Sequence, residues 1–270
     1  MNTPMKIPFT KLHGAKNDFL VSHAADVPLT DFQELAIAIC NRYTGVGADG
    51  WILLDGTEGP DYDATMRVFN SDGSEPEVSG NGTRCAALLI SRDQALDSLR
   101  IRTGAGVKHL RLISVSPKQE YRFEMNMGHV RVVEAHSTVE RMDAVIVDAG
   151  NPQCAIPVAD FDFDWRTAGA AIERANRFPN RSNVSFLRAV DRHTIEVRFW
   201  ERGAGETNSS GTGSSGAAVA AVARGLAEDP VTVLTPAGPL SVRIDGDTYL
   251  TGPAECVADG FFHYGKIITK

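Results

Sequence analysis

The chain repeats itself. Residues 66–73 read MRVFNSDG and run on into SEPEVSGNGTRCAALLI, while residues 197–204 read VRFWERGA and run on into GETNSSGTGSSGAAVAAV. With Ser79 set against Ser210, an offset of 131 residues, Arg67 meets Arg198, Asn70 meets Glu201 and Glu75 meets Glu206. Gly80 and Gly82 fall on Gly211 and Gly213, and Ala86-Ala87 falls on Ala217-Ala218. Each block reads as an apolar strand, a polar loop, a short S-G-x-G turn and an alanine-rich helix. Upstream, Gly14-Ala15-Lys16-Asn17 and Gly150-Asn151-Pro152 each follow an apolar stretch, at a spacing of 136 residues. Chance recurrence of Gly/Ser loops would not keep register over strand, loop and helix together. A repeat near half the chain length points to duplication into two similar domains.

Periodicity gives the elements of each half. Alternating or β-branched runs predict strands at 9–14, 18–24, 50–56, 65–70, 99–106, 109–116 and 121–128, then at 144–150, 195–200, 231–236, 240–246 and 248–254. Helices are expected at 30–43, 83–93, 163–177 and 216–227, with Thr30 capping the first and Gly225 ending the last. Strands outnumber helices and are joined by short turns, so the class is α+β with substantial antiparallel sheet, not a doubly wound fold. The boundary falls near 128–140, giving an N-terminal half 1–130, to which 259–270 returns, and a C-terminal half 131–258.

Several function classes are excluded. A net charge of −7 argues against nonspecific nucleic-acid binding. No apolar run reaches membrane-spanning length, and MNTPMKIPFT lacks the apolar core of a signal peptide. Cys40, Cys85, Cys154 and Cys256 show neither CxxC nor Cys/His metal spacing, so no metal site is expected and the thiols read as free in a reducing cytoplasm.

The S-G-x-G turns carry the functional signal. A helix start exposes unpaired N–H groups and a partial positive charge, a natural seat for a carboxylate or phosphate, and glycine lets a ligand approach the backbone. One such loop alone is better explained by capping; the pair reverses that, since two facing across a cleft would clamp a small anionic substrate. Competing motifs fail on context. Gly45-Val46-Gly47-Ala48-Asp49-Gly50 matches G-x-G-x-x-G but follows a helix and precedes a strand, the reverse of the dinucleotide fingerprint. Gly211-Thr212-Gly213-Ser214-Ser215-Gly216 also matches, but an irregular polar stretch separates it from strand IEVRFW. Neither Ser79 nor Ser210 lies in G-x-S-x-G, and there is no P-loop.

At these residues the sequence resembles the diaminopimelate epimerase family. The matching blocks are HGAKNDF (13–19), NRYTGVGADG (41–50), RVFNSDGSEPEVSGNGTRCAA (67–87), GNP (150–152), NRSNVSF (180–186) and WERGAGETNSSGTGSSGAA (200–218). They run in the family's order and span nearly the whole chain. The resemblance implies two pseudo-symmetric halves with the active site in the cleft between them. It implies cofactor-independent interconversion of LL- and meso-diaminopimelate for lysine and cell-wall synthesis, one cysteine taking the α-proton from one face and a second delivering one to the other. Carried over by position, the acid/base sites are Ser79 and Ser210. Asn17, Asn70, Asn151 and Asn183 map to substrate contacts, with Glu201 and Arg202 near the α-amino group. Gly80 with Asn81, and Gly211 with Thr212, would offer N–H groups to the α-carboxylate. The implied partner is a small amino-acid substrate, with no nucleic acid or membrane; a homodimer is compatible with the sequence.

Two departures bear on turnover. Serine replaces both cysteines, and Gln153 stands where the family keeps a histidine after GNP. A serine hydroxyl lies at least about five pKa units above a thiol, each unit worth roughly 1.4 kcal/mol, and rarely acts as a base unless a neighbour activates it. Cys85 and Cys154 are close in sequence but align with neither catalytic position. Three readings stand: an epimerase impaired at its acid/base pair; a relative catalysing another proton shift on a small amino or hydroxy acid; and an amino-acid-binding homologue without catalysis.

Overall fold

The computed structural model describes residues 5–28, 31–56 and 59–265. They form two compact units, one comprising residues 1–123 with 253–270 and the other residues 124–252.

The first unit begins with β1 (Met5–Gly14) and β2 (Asn17–His23), joined by a two-residue turn in which Ala15 and Lys16 take φ of 51° and 60°. Such left-handed turns match the twist of a hairpin but strain residues other than glycine. Then come α1 (Phe32–Cys40), β3 (Gly50–Asp55), β4 (Ala64–Asn70), α2 (Gly80–Gln94), β5 (Ser98–Thr103) and β6 (Gly106–Val115). The successive pairings β1–β2, β2–β3, β3–β4, β4–β5 and β5–β6 alternate antiparallel, parallel, antiparallel, parallel, antiparallel. A strand from the chain's end closes the unit on β1, Tyr264 facing Met5. After β7 (Tyr121–Gly128), the second unit runs β8 (Arg131–Val139), β9 (Met142–Asp148), β10 (Pro152–Pro157), α3 (Trp165–Glu173), β11 (Asn183–Asp191), β12 (Thr194–Glu201), β13 (Gly205–Thr207) and α4 (Gly211–Ala223). It ends with β14 (Val231–Thr235), β15 (Gly238–Asp245) and the start of β16 (Asp247–Tyr264). Here β9–β10, β10–β11, β11–β12, β12–β14 and β14–β15 alternate in the same order, and β8 closes on β9 as the chain's end closes on β1. The duplication read from the sequence is therefore a duplication of topology.

Each unit is built around one wrapped helix. Residues 81–91 of α2 and 213–221 of α4 are all buried. A helix hidden on every side cannot be amphipathic, and α4 is made of Gly, Ser, Thr, Ala and Val, which let strands approach all round it. The outer helices α1 and α3 are each capped by an aspartate, Asp31 accepting from Glu34 N at 3.2 Å and Asp164 from Thr167 N at 3.1 Å. Thr30, expected as the first cap, lies outside the described residues, as do 266–270 of the returning segment. The first core centres on Trp51 stacked on Phe69 at 5.5 Å; the second gathers Trp165, Phe186 and Ile172. Each such side chain removed from water contributes about 1.5–3 kcal/mol. Among the described residues no helix is long and apolar enough to cross a membrane.

The structure changes some boundaries. Helices α2 and α4 begin directly after Ser79 and Ser210, three and five residues before the expected starts. Gly225 does end α4, with φ of 66°. Strands β8, β10, β11 and β13 were not expected. The stretch read as irregular before Gly211 contains β13, paired on β12.

Candidate active site

The two helix starts are near copies. Ser79 and Ser210 are both extended N-caps, with φ, ψ of −128°, 116° and −138°, 126°. Each hydroxyl accepts from the N–H three residues on: Gly82 N to Ser79 Oγ and Gly213 N to Ser210 Oγ, both 3.1 Å. Both third positions are tight for a side chain: a Cβ on Gly213 would sit 2.9 Å from Phe199 and from Ser210 Oγ, and one on Gly82 would sit 3.0 Å from the tip of Ile52. The first turns leave the N–H groups of Gly80 and Asn81, and of Gly211 and Thr212, without an intrahelical acceptor. Ser210 is buried and Ser79 half-buried.

In the first unit the hairpin turn delivers Asn17 to α2. The Asn81 amide donates to Asn17 Oδ1 at 3.2 Å, and Asn17 Nδ2 donates to Asp49 Oδ2 at 2.8 Å. A Cβ on Gly14 would come within 2.9 Å of the Asn81 carbonyl, so the turn and the helix start touch. Arg42 then clamps Asp49 and Asp18 at 2.7 and 2.9 Å, and Lys11 lies 3.0 Å from Asp18. Burial opposes ionisation of Asp18, but bonds from Arg42 and Lys11 hold its carboxyl below the usual range. Asn70 stands apart from this amide chain. Exposed at the end of β4, it donates to Ser74 Oγ at 2.9 Å within a turn, and it meets the corner through the backbone, where the neighbouring Ser71 N–H donates to Asp49 O at 3.0 Å.

The second unit uses the same plan with other side chains. Gln153, at the start of β10, donates from Nε2 to Asn151 Oδ1 at 2.7 Å and to Thr212 Oγ1 at 3.2 Å. It thus meets Thr212 as Asn17 meets Asn81, but as donor where Asn17 accepts. Parallel pairing of β10 with β11 sets Asn183 beside Gln153; Asn183 donates to Pro152 O at 3.2 Å and accepts from Arg202 N at 3.0 Å. Glu201 closes β12 next to Arg202. Its half-buried carboxylate has no hydrogen bond or ion pair among the described residues, and the exposed Arg202 guanidinium has one acceptor, Asn180 O at 3.1 Å, and no carboxylate.

Three contributors had little sequence signal. Arg84 is wholly buried in α2, donating to Asn81 Oδ1 at 2.5 Å, Pro253 O at 3.2 Å and Gly80 O at 3.3 Å; burial pulls it down to about 10, which leaves it cationic at neutral pH. Glu173, 2% exposed, takes hydrogen bonds from Trp200 Nε1 and Gly203 N, both at 3.0 Å, and so holds the turn after Glu201. Burial raises its pKa, but those donors and Arg181 bring it below the ordinary value. Asp49 sits inside the excluded G-x-G-x-x-G match, where the glycines drew the eye. The buried thiols Cys85 and Cys154 are pushed up to about 12 by burial, which leaves them unreactive at neutral pH. A surface cavity of about 320 Å³ bordered by Asp31, Phe32, Gln33, Arg67 and Phe69 shares no residue with either helix start.

Comparison with known proteins identifies the fold and the family. A hydroxyproline epimerase from Agrobacterium vitis, crystallised with trans-4-hydroxy-L-proline, shares the fold with a TM-score of 0.72 at 13% identity, over 97% of this chain and 93% of that one. The diaminopimelate epimerase of Pelotomaculum thermopropionicum is 40% identical over 95% of this chain and 99% of the relative. That of Microcystis aeruginosa is 38% identical over 96% and 99%. The family model of diaminopimelate epimerase matches residues 9–133 and 145–257, one stretch for each copy of the repeat. Its twin serine-capped helix starts thus stand within an isomerase framework, and the chain belongs to the diaminopimelate epimerase family.

Proposed function

We propose that this chain binds LL- and meso-diaminopimelate and that Ser79 and Ser210 stand at the two acid/base positions, where their hydroxyls make α-proton exchange slow. The observation that carries the binding reading is the unpaired couple Glu201 and Arg202 beside Asn183 in the second unit. A half-buried carboxylate without a counter-charge suits a substrate ammonium, and a guanidinium without one suits a carboxylate. The N–H groups at the starts of α2 and α4 supply neutral donors for the remaining carboxylate.

The chemistry asks more of the serines. An α-proton must leave to a base on one face of the carbon while an acid supplies one on the other. Each hydroxyl accepts one backbone N–H, which favours its anion, but the gap to a thiol is about 7 kcal/mol. The amide of Gln153 stands beside Thr212 and has no basic nitrogen to take the hydroxyl proton. That neutrality favours binding with little turnover over rapid epimerisation. A place in lysine and cell-wall precursor synthesis, and a cytoplasmic setting, follow from the same reading. Incubating each stereoisomer in D2O and following α-deuteration by NMR tests it, with calorimetric titration for affinity. Binding with slow exchange is expected; fast exchange overturns the role given to the serines, and absence of binding overturns the substrate.

A further inference from the structure

We propose that Arg84 makes the two acid/base positions unequal, favouring the ionised form of whatever group stands at position 79, while position 210 has no such charge. This rests on the acid/base reading of Ser79 and Ser210.

Helical side chains lean toward the N-terminus, and Arg84, in the second turn of α2, reaches back to the first, where Nη1 lies 3.3 Å from Gly80 O and Nη2 lies 2.5 Å from Asn81 Oδ1. It is 0% exposed, and its acceptors are neutral oxygens. The strands packed on α2 are β1 to β5, with β16, whose Pro253 O accepts from Arg84 and whose Asp259 accepts from Thr10 Oγ1 at 2.6 Å. Their charges, with those of the neighbouring loops, come largely in opposite pairs: Lys11 and Arg42 with Asp18, His13 with Glu255, Arg67 with Glu75, Arg100 with Asp63. Asp55 also has a partner, Arg102 lies over the Tyr62 ring, and Glu77 on the approach loop is exposed. Arg84 is therefore a buried cation whose charge no carboxylate cancels, next to the residue that follows Ser79.

The repeat puts Ser215 at the equivalent place. Its hydroxyl donates to Gly211 O at 2.9 Å, the counterpart of the Arg84 bond to Gly80 O, so the contact is kept and the charge is absent. Residues 211–223 of α4 carry no charged side chain. Around α4 the charges again pair, Arg131 with Asp148, Arg224 with Asp143, and Arg188 and Arg198 with Glu196. Exceptions include Glu201, whose negative sign opposes ionisation, and Arg202 beside it, whose guanidinium is exposed and so screened by water, unlike the buried Arg84. A nearby cation lowers the pKa of an acid by about 1–3 units.

Thiols installed singly by Ser79→Cys and Ser210→Cys in the full chain report the difference. Iodoacetamide alkylation followed against pH, read by peptide mass spectrometry, separates each from the four native cysteines. The thiol at position 79 should titrate at least about one unit below that at 210. Adding Arg84→Gln to Ser79→Cys should remove the gap, Arg84→Lys should keep it, and Arg84→Gln with Ser210→Cys should change nothing. Equal titration of the two parent thiols, or a gap that survives Arg84→Gln, overturns the proposal. If Arg84→Gln does not fold, the parent thiols decide, a gap supporting and equality overturning. No step needs turnover or diaminopimelate, so failure of the substrate reading shows up separately.

Discussion

The starts of α2 and α4 share a cap, a glycine at the third helical position, and an amide delivered from the strand hairpin behind. They differ in what stands under the first turn. Beneath α2, Asn17, Asn81 and Arg84 form a chain that runs outward to Asp49 and Arg42 and carries a buried charge. Beneath α4, Asn151, Gln153 and Thr212 form a shorter neutral chain, with the unpaired charges Glu201 and Arg202 beside it. After duplication, the serine-capped helix start was kept in both copies, while the side chains that place charge diverged. The unequal acid/base pair proposed above draws on that divergence.

The comparison can be broken at several points. The largest effect is expected from Ser79→Cys combined with Ser210→Cys, which should raise α-deuteration of meso-diaminopimelate by roughly 10²–10⁴-fold, while either single change stays far below the pair. A single change matching the pair would mean that the two positions do not work on opposite faces. Next come the supporting chains. Asn81→Leu leaves the buried Arg84 guanidinium short of its nearest acceptor and should cost about 3 kcal/mol in urea unfolding, against about 1 for Thr212→Val. Equal losses would remove the distinction between a charged and a neutral underside.

Acid comes third. The Glu173 carboxyl has a folded pKa depressed below its ordinary 4.5, so its stabilisation is complete above that value and is lost as pH falls through the folded one. Glu173→Gln should cost about 2 kcal/mol at pH 7, with the deficit in melting temperature shrinking below pH 4.5. Asp18 in the first unit is depressed in the same direction, so Asp18→Asn should show the same sign of pH dependence. A deficit that stays constant down to pH 3 would remove ionic support from that half. The smallest effects are those of the caps: Ser79→Ala and Ser210→Ala should each cost about 1 kcal/mol, and clearly unequal losses would show that the caps are not equivalent.

The sequence carried the duplication, the four helices and the place of both serines, because small residues in fixed register leave a strong pattern. It carried less of the strands that complete each sheet. Strand β10 opens with Pro152 and has no alternation, and β11 mixes Ser185, Arg188 and Asp191 into its apolar run, so neither shows the period of two that marks a strand. The helix starts were read late because Gly-Asn-Gly and Gly-Thr-Gly look like loop; a serine cap and wrapping strands override glycine's poor propensity there. Arg84 and Glu173 were not singled out because an isolated charge in a sequence gives no sign of burial. The Asn70 pattern, asparagine before Ser-Asp-Gly, was legible as a turn, and in the structure its side chain makes one.

The pairing of β1 with the end of β16 sets an order of assembly. The first strand waits for a partner roughly 250 residues downstream, Met5 facing Tyr264, whereas β8 to β15 of the second unit find their partners within 124–252. During synthesis the later half can fold before the earlier one is closed, and until then β1 has one bare edge open to pairing with another chain. A chain cut after residue 252 would keep that edge exposed. Its expected fate is aggregation seeded from the N-terminal half, although every residue removed lies at the opposite end of the sequence.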